Sequence, residues 1–137
     1  MGLIDNLLGK KEETNKGGVP FTLKLRFNPI RLSRNKNNSL TLYITLENIT
    51  DESILTSVAV KVPKGLGVDQ TGLHAMRELR LDQLPPKTKK ELNVDVYANT
   101  GTGAGEYDVT VTAYSHYRDY THFLNSVSQT LALRVVE

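Results

Sequence analysis

From Phe21 to the C-terminus the chain alternates apolar and polar residues with a period of two. Phe21, Leu23, Leu25 and Phe27 stand against Thr22, Lys24 and Arg26. Leu40, Leu42, Ile44 and Leu46 stand against Thr41, Tyr43, Thr45 and Glu47. Shorter runs follow at Val58, Val60 and Val62, at Leu79 and Leu81, and at Leu92, Val94 and Val96. Tyr107, Val109, Val111 and Ala113 come next, and Val127, Leu131, Leu133 and Val135 close the chain. Successive side chains of a strand point to opposite faces, so each run reads as a strand with one dry face and one wet face. Turn formers bound the runs: Asn35 to Asn38, Asp51-Glu52, Pro85-Pro86 and Gly101 to Gly105. Such strands predict an all-β fold of two antiparallel sheets packed face to face.

At 137 residues the chain has room for one domain. Residues 1–19 read as a short amphipathic helix plus a tether, and residues 20–137 as the sandwich. In the head, Leu3, Ile4, Leu7 and Leu8 gather on one side of a short helix, a candidate docking surface. A helix this short is stable only when docked. The tether KKEETNKGGV is charged and glycine-bearing, with no apolar period. Within the body, Lys64 to Arg80 breaks the alternation. It carries Gly65, Gly67 and Gly72, then the helix-compatible LHAMREL. A long crossover loop with one helical turn is expected there.

Several classes are excluded or disfavoured. Without cysteine there are no disulfides, thiolate metal sites or thiol nucleophiles. A net charge of +2 is too balanced to suggest a nucleic-acid partner. No apolar run approaches the length that spans a bilayer. The N-terminus MGLIDNLLGKKEE lacks a basic n-region and a cleavage site, and Asn6 stands where myristoylation wants Ser or Thr. A cytoplasmic location is expected, with peripheral membrane attachment through the head as the alternative. The triplets at Asn37 and Asn48 are then chance matches to a glycosylation signal.

The segment GEYDVTVTA, Gly105 to Ala113, places a glycine two residues before a tyrosine that opens a strand of alternating valines. It resembles the tyrosine corner of immunoglobulin-like sandwiches, in which the phenol bonds backbone a few residues upstream. Val109 occupies the position of the antibody cysteine, so the disulfide variant is absent. LPPKTKKELNVDVYA and LTLYITLENITDESI resemble segments of the CARDB and fibronectin-type-III-like groups. The resemblance spans roughly residues 21–136. It implies an immunoglobulin-like sandwich of seven to eight strands that displays surfaces to partners, and it carries over no catalytic residue.

The most distinctive segment is YSHYRDYTHF, Tyr114 to Phe123, with three of six tyrosines and two of three histidines. Tyr114, His116, Tyr117, Arg118, Tyr120, His122 and Phe123 are candidate partner-binding residues, because Tyr and Arg lead interface hot spots. The bland alternative is a hairpin whose rings pair across strands. His116, Asp119 and His122 fit no standard metal-ligand spacing. TGTGAG, Thr100 to Gly105, lacks the helix that an anion-binding glycine loop needs and reads as a hairpin turn. No paired carboxylates, nucleophile elbow or other catalytic signature occurs. Basic residues at Arg26, Arg31, Arg34, Lys36, Lys87, Lys89 and Lys90 read as edge protection. The chain is therefore expected to be a non-catalytic binding or scaffold module, with no cofactor, no metal and no nucleic acid. Its partner would be another protein or its own copy. A membrane-proximal adaptor is the first alternative and a metal-dependent or loop-built enzyme the second.

Overall fold

The computed structural model describes residues 20–33, 39–69, 71 and 74–137. The expected head helix at Leu3, Ile4, Leu7 and Leu8, and the tether after it, lie outside the described residues. Nine strands follow in order: β1 (Phe21–Asn28), β2 (Arg31–Ser33), β3 (Ser39–Asn48), β4 (Ile54–Lys61), β5 (Leu66–Gly67), β6 (Met76–Leu84), β7 (Lys89–Ala98), β8 (Gly105–His116) and β9 (Phe123–Val136). They form two sheets of order β1-β3-β7-β5 and β2-β9-β8-β4-β6. All pairings are antiparallel except the three-residue match of β2 to the C-terminal end of β9.

The alternation becomes the core. Leu40, Leu42, Ile44 and Leu46 of β3 are buried, as are Val94 and Val96 of β7. They meet Val58 and Val60 of β4, Val109, Val111 and Ala113 of β8, and Leu133 and Val135 of β9. Leu25, Val127 and Leu131 are only partly covered, because β1 ends its sheet and, among the described residues, β9 has a strand on its outer side only at residues 134–136.

Three expectations need correction. The count of seven to eight strands omits the short β2 and β5, which have too few residues to show a period. No helical turn forms across LHAMREL among the described residues: Met76 to Leu84 is strand β6, drawn into the sheet by pairing with β4 (Ala59 with Glu78, Lys61 with Met76). The Thr100 to Gly105 turn is not a hairpin. It carries the chain from β7 in one sheet to β8 in the other.

That crossing is secured by the tyrosine corner. The Tyr107 hydroxyl donates to the Gly103 carbonyl at 2.7 Å and accepts from the Gly103 N–H at 3.0 Å. Buried Thr102 donates its hydroxyl to the Gly65 carbonyl and accepts from the Asn99 N–H at 2.7 Å. Gly65 adopts φ +104°, and a Cβ there would stand 3.2 Å from the Tyr107 ring, so glycine suits the position twice over. At the other end of the sandwich, buried Asn48 joins two crossings. Its amide donates to the carbonyls of Glu52, Leu84 and Pro85, and its Oδ1 accepts from the Thr50 N–H and hydroxyl.

The four sheet margins differ. β1 shows exposed Lys24 and Arg26 and is bracketed by Pro20 and Pro29. β5 is two residues long. β6 carries Arg77, Glu78, Arg80 and Asp82, has a register shift opposite Thr56/Ser57, and bends through Asp82 at φ 58°. β2 pairs only with residues 134–136 of β9, so residues 123–133 of β9 form the rest of that margin; they carry no charge, proline or glycine, and one register shift, at Leu124.

Candidate functional site

The aromatic segment forms the end of the β8–β9 hairpin. β8 runs on through His116, with a register shift at Ser115/His116 that turns the last residue of the strand. The reversal 117–122 is fixed by backbone bonds from the Tyr117 N–H to the His122 carbonyl and from the His122 N–H to the Asp119 carbonyl. Arg118 takes a left-handed conformation at φ 71°. Asp119 collects three donors on one oxygen: the Thr121 hydroxyl at 2.6 Å, His122 Nδ1 at 2.8 Å and the Thr121 N–H at 2.9 Å. The Thr121 and His122 bonds favour the anion and hold the Asp119 carboxyl down to about 2.

The candidate residues separate into two groups. His116 is buried, with Nε2 2.7 Å from the Ser57 hydroxyl and Nδ1 without a hydrogen-bond partner. The less costly tautomer has Nε2–H donating to Ser57 Oγ, leaving a bare lone pair rather than an orphaned N–H on Nδ1. Burial pushes the imidazole below its ordinary value. Around it the Tyr120 ring lies edge-on at 5.1 Å and the Phe123 ring is tilted at 4.9 Å, while Tyr114 meets Phe123 edge-on at 5.1 Å. Tyr120 also accepts from the Asp82 N–H at 2.9 Å, and Arg80 stacks on its face at 4.7 Å. His116 and Tyr120 thus hold the hairpin to β4 and β6, and Tyr114 packs against Phe123 within it.

The second group faces water. Phe123 is 62% exposed, Leu124 59% and Tyr117 52%, with Arg118 stacked beside the Tyr117 ring at 5.1 Å. Leu124 was not among the sequence candidates. It follows the aromatic run, and only the register, which skips it between Phe123 and Asn125, sets it apart. Beside these residues lies an open cleft of about 280 Å³ lined by Ile54, Leu55, Gln83, His116 and Leu124 among others. A larger recess of about 510 Å³ opens near the tyrosine corner beside Gly65, Leu66 and Gly101, with Lys64 as its ionisable group. The three residues weighed as metal ligands do not converge: His116 sits with Ser57, while Asp119 and His122 pair with each other at the exposed tip. Among the described residues no group of three His, Asp or Glu is arranged to hold a metal ion.

No protein-family model and no curated protein matches the sequence. Solved structures do match. The chain is similar to an alpha-2-macroglobulin variant from Salmonella, with TM-score 0.59 and 19% identity, over 86% of this chain and 7% of that one. It is also similar to a fragment of Escherichia coli alpha-2-macroglobulin that runs to the C-terminus, with TM-score 0.57 and 18% identity, over 87% of this chain and 17% of that one. The chain spans a small part of either protein, and at this identity the likeness is one of fold. The architecture is an all-β, immunoglobulin-like sandwich.

Proposed function

We propose that the chain is a non-catalytic protein-binding module whose contact surface is the end of the β8–β9 hairpin. The observation that carries this reading is the pairing of exposure with rigidity. Tyr117, Phe123 and Leu124 are more than half exposed, yet they stand on a clamped base of Tyr114, His116 and Tyr120. Aromatic anchors held in place before contact lose little entropy on binding, which is what a recognition surface needs. The fold adds a scaffold of the kind that presents loops. Assignment to the CARDB or fibronectin-type-III-like groups remains part of this proposal and rests on the Leu84 to Ala98 and Leu40 to Ile54 segments.

A photoreactive amino acid placed at Tyr117 in the full chain, in cells, tests the reading against the same group at Lys24 on the opposite sheet. Discrete protein adducts from Tyr117 and none from Lys24 are expected. Equal labelling at both positions, or none at either, overturns it. Replacing Tyr117 and Leu124 together by Ala, with the photoreactive group moved to Arg118, should remove the adducts and leave the melting temperature unchanged.

A further inference from the structure

The margin of β9 carries an inference beyond the hairpin tip. Strand edges expose unpaired backbone donors and acceptors, and proteins guard them with charge, proline, bulges or brevity. Three margins of this sandwich are guarded in those ways: β1 by lysine, arginine and flanking prolines, β5 by its two residues, β6 by charges and a register shift. β9 is the exception in composition, and its one register shift, at Leu124, lies at its very start. On one side it pairs with β8 along its length, and on the other, among the described residues, only Arg134, Val135 and Val136 have a strand partner, in β2. Residues 123–133, FLNSVSQTLAL, contain no charged residue, proline or glycine.

We propose that this free margin pairs antiparallel with the same margin of a second copy, joining two five-stranded sheets across a two-fold axis. Three observations select a second copy as the occupant. The first is charge: a neutral strand laid antiparallel on itself opposes no like charges. The second is geometry. β2 stops an incoming strand at residue 134, so the open stretch 123–133 is centred on Ser128. A two-fold axis at Ser128 sets Ser126 of each copy opposite Thr130 of the other. This extends across the junction the row of hydroxyl contacts already present between β8 and β9, Thr110 with Thr130 at 3.1 Å and Thr112 with Ser128 at 2.8 Å.

The third observation is apolar complementarity. Ile30, 75% exposed, directly precedes β2, whose Arg31 is level with Arg134. Phe123 and Leu124, themselves exposed, lie at the other end of the same margin. The two-fold pairing sets the Phe123–Leu124 end of one copy beside Leu133 of the other, end to end with the Ile30 that leads into β2. It does so twice, once at each end of the junction, as an isologous interface requires. This interface shares Phe123 and Leu124 with the hairpin end but leaves Tyr117 and Arg118 outside it, so a partner held through those two can bind with or without the two-fold junction.

The test uses the full chain, with mass followed by sedimentation across a dilution series and amide exchange read by mass spectrometry. The wild-type chain should run at twice the chain mass when concentrated, with residues 124–133 protected, and lose both on dilution. A Ser126→Lys/Thr130→Lys variant and, independently, an Ile30→Lys variant should run at single-chain mass at every concentration with near-ultraviolet dichroism intact. Adducts from the photoreactive group at Tyr117 should persist in both. A wild-type chain that stays at single-chain mass overturns the proposal. So does a dimer unaffected by either variant. A single-chain species whose β9 margin is protected, and becomes unprotected when residues 1–19 are removed, overturns it in favour of cover by the chain's own N-terminal segment.

Discussion

Ser57 Oγ lies 2.7 Å from His116 Nε2, and both side chains are buried beneath the rings of the β8–β9 hairpin. With Nδ1 unpartnered, a second proton on the ring would be buried without an acceptor. The folded imidazole therefore holds a proton less readily than an unfolded one. Below about pH 6.5 the unfolded chain binds more protons. Stability should be full above that value and decline as pH falls through the lowered folded value. Thermal melts from pH 8 to about 4.5 should show this slope, and His116→Gln should flatten it. An unchanged slope in the variant would assign the decline to another group.

Asp119 works in a lower window. Its carboxyl is held down by the Thr121 hydroxyl and by His122, to about 2, from an ordinary value of 3.8. The depressed value means that the turn is secure above pH 3.8 and loosens as pH falls towards 2. The Thr121 amide proton should shift and exchange faster across that interval, while the amides of β3 stay put. Asp119→Ala should abolish the shift.

Tyr107→Phe removes the hydroxyl shared with both backbone groups of Gly103 and should cost about 1 kcal/mol by chemical denaturation. Gly65→Ala should cost more, about 1–3 kcal/mol, because it adds left-handed strain to a contact with the Tyr107 ring. A Gly65→Ala chain as stable as wild type would mean that the crossover relaxes without loss.

Asn48→Ala leaves the carbonyls of Glu52, Leu84 and Pro85 without their shared donor and should destabilise by about 2–4 kcal/mol. Asn48→Asp keeps the Oδ1 bonds to Thr50 but turns an acceptor towards three carbonyls. It should be at least as damaging, which urea denaturation of the two variants will rank.

Period two made the long strands legible, since a strand buried on one face writes its burial directly into its sequence. Leu40 to Leu46 and Val109 to Ala113 needed no further information. Met76 to Arg80 escaped because an edge strand with charge on both faces carries no alternation to read. The turn at Thr100 to Gly105 was legible as a turn, but which sheets it joins depends on β7 and β8 facing each other across the core. At the hairpin the clustering of rings was visible. Their division was not, because burial of His116 depends on Ser57, 59 residues earlier. Asn48 did leave a trace: an Asn followed two positions later by Thr is the pattern of an Asx turn, here masked by its identity with a glycosylation triplet.

The register of β1 has a consequence for what can be joined to the sandwich. Phe21 pairs with Asn48 beside the hairpin end, whereas Val136 pairs with Ser33 at the tyrosine-corner end. Entry and exit of the sandwich thus stand at opposite poles, separated by the length of β8, 12 residues or about 40 Å. Pro20, to which the first nineteen residues are joined, sits at the pole of Tyr117 and Leu124. A fusion joined directly to Pro20 therefore crowds the aromatic tip, while a tag or tether after Glu137 leaves it clear. Sandwiches linked in series would stack pole to pole like beads on a string.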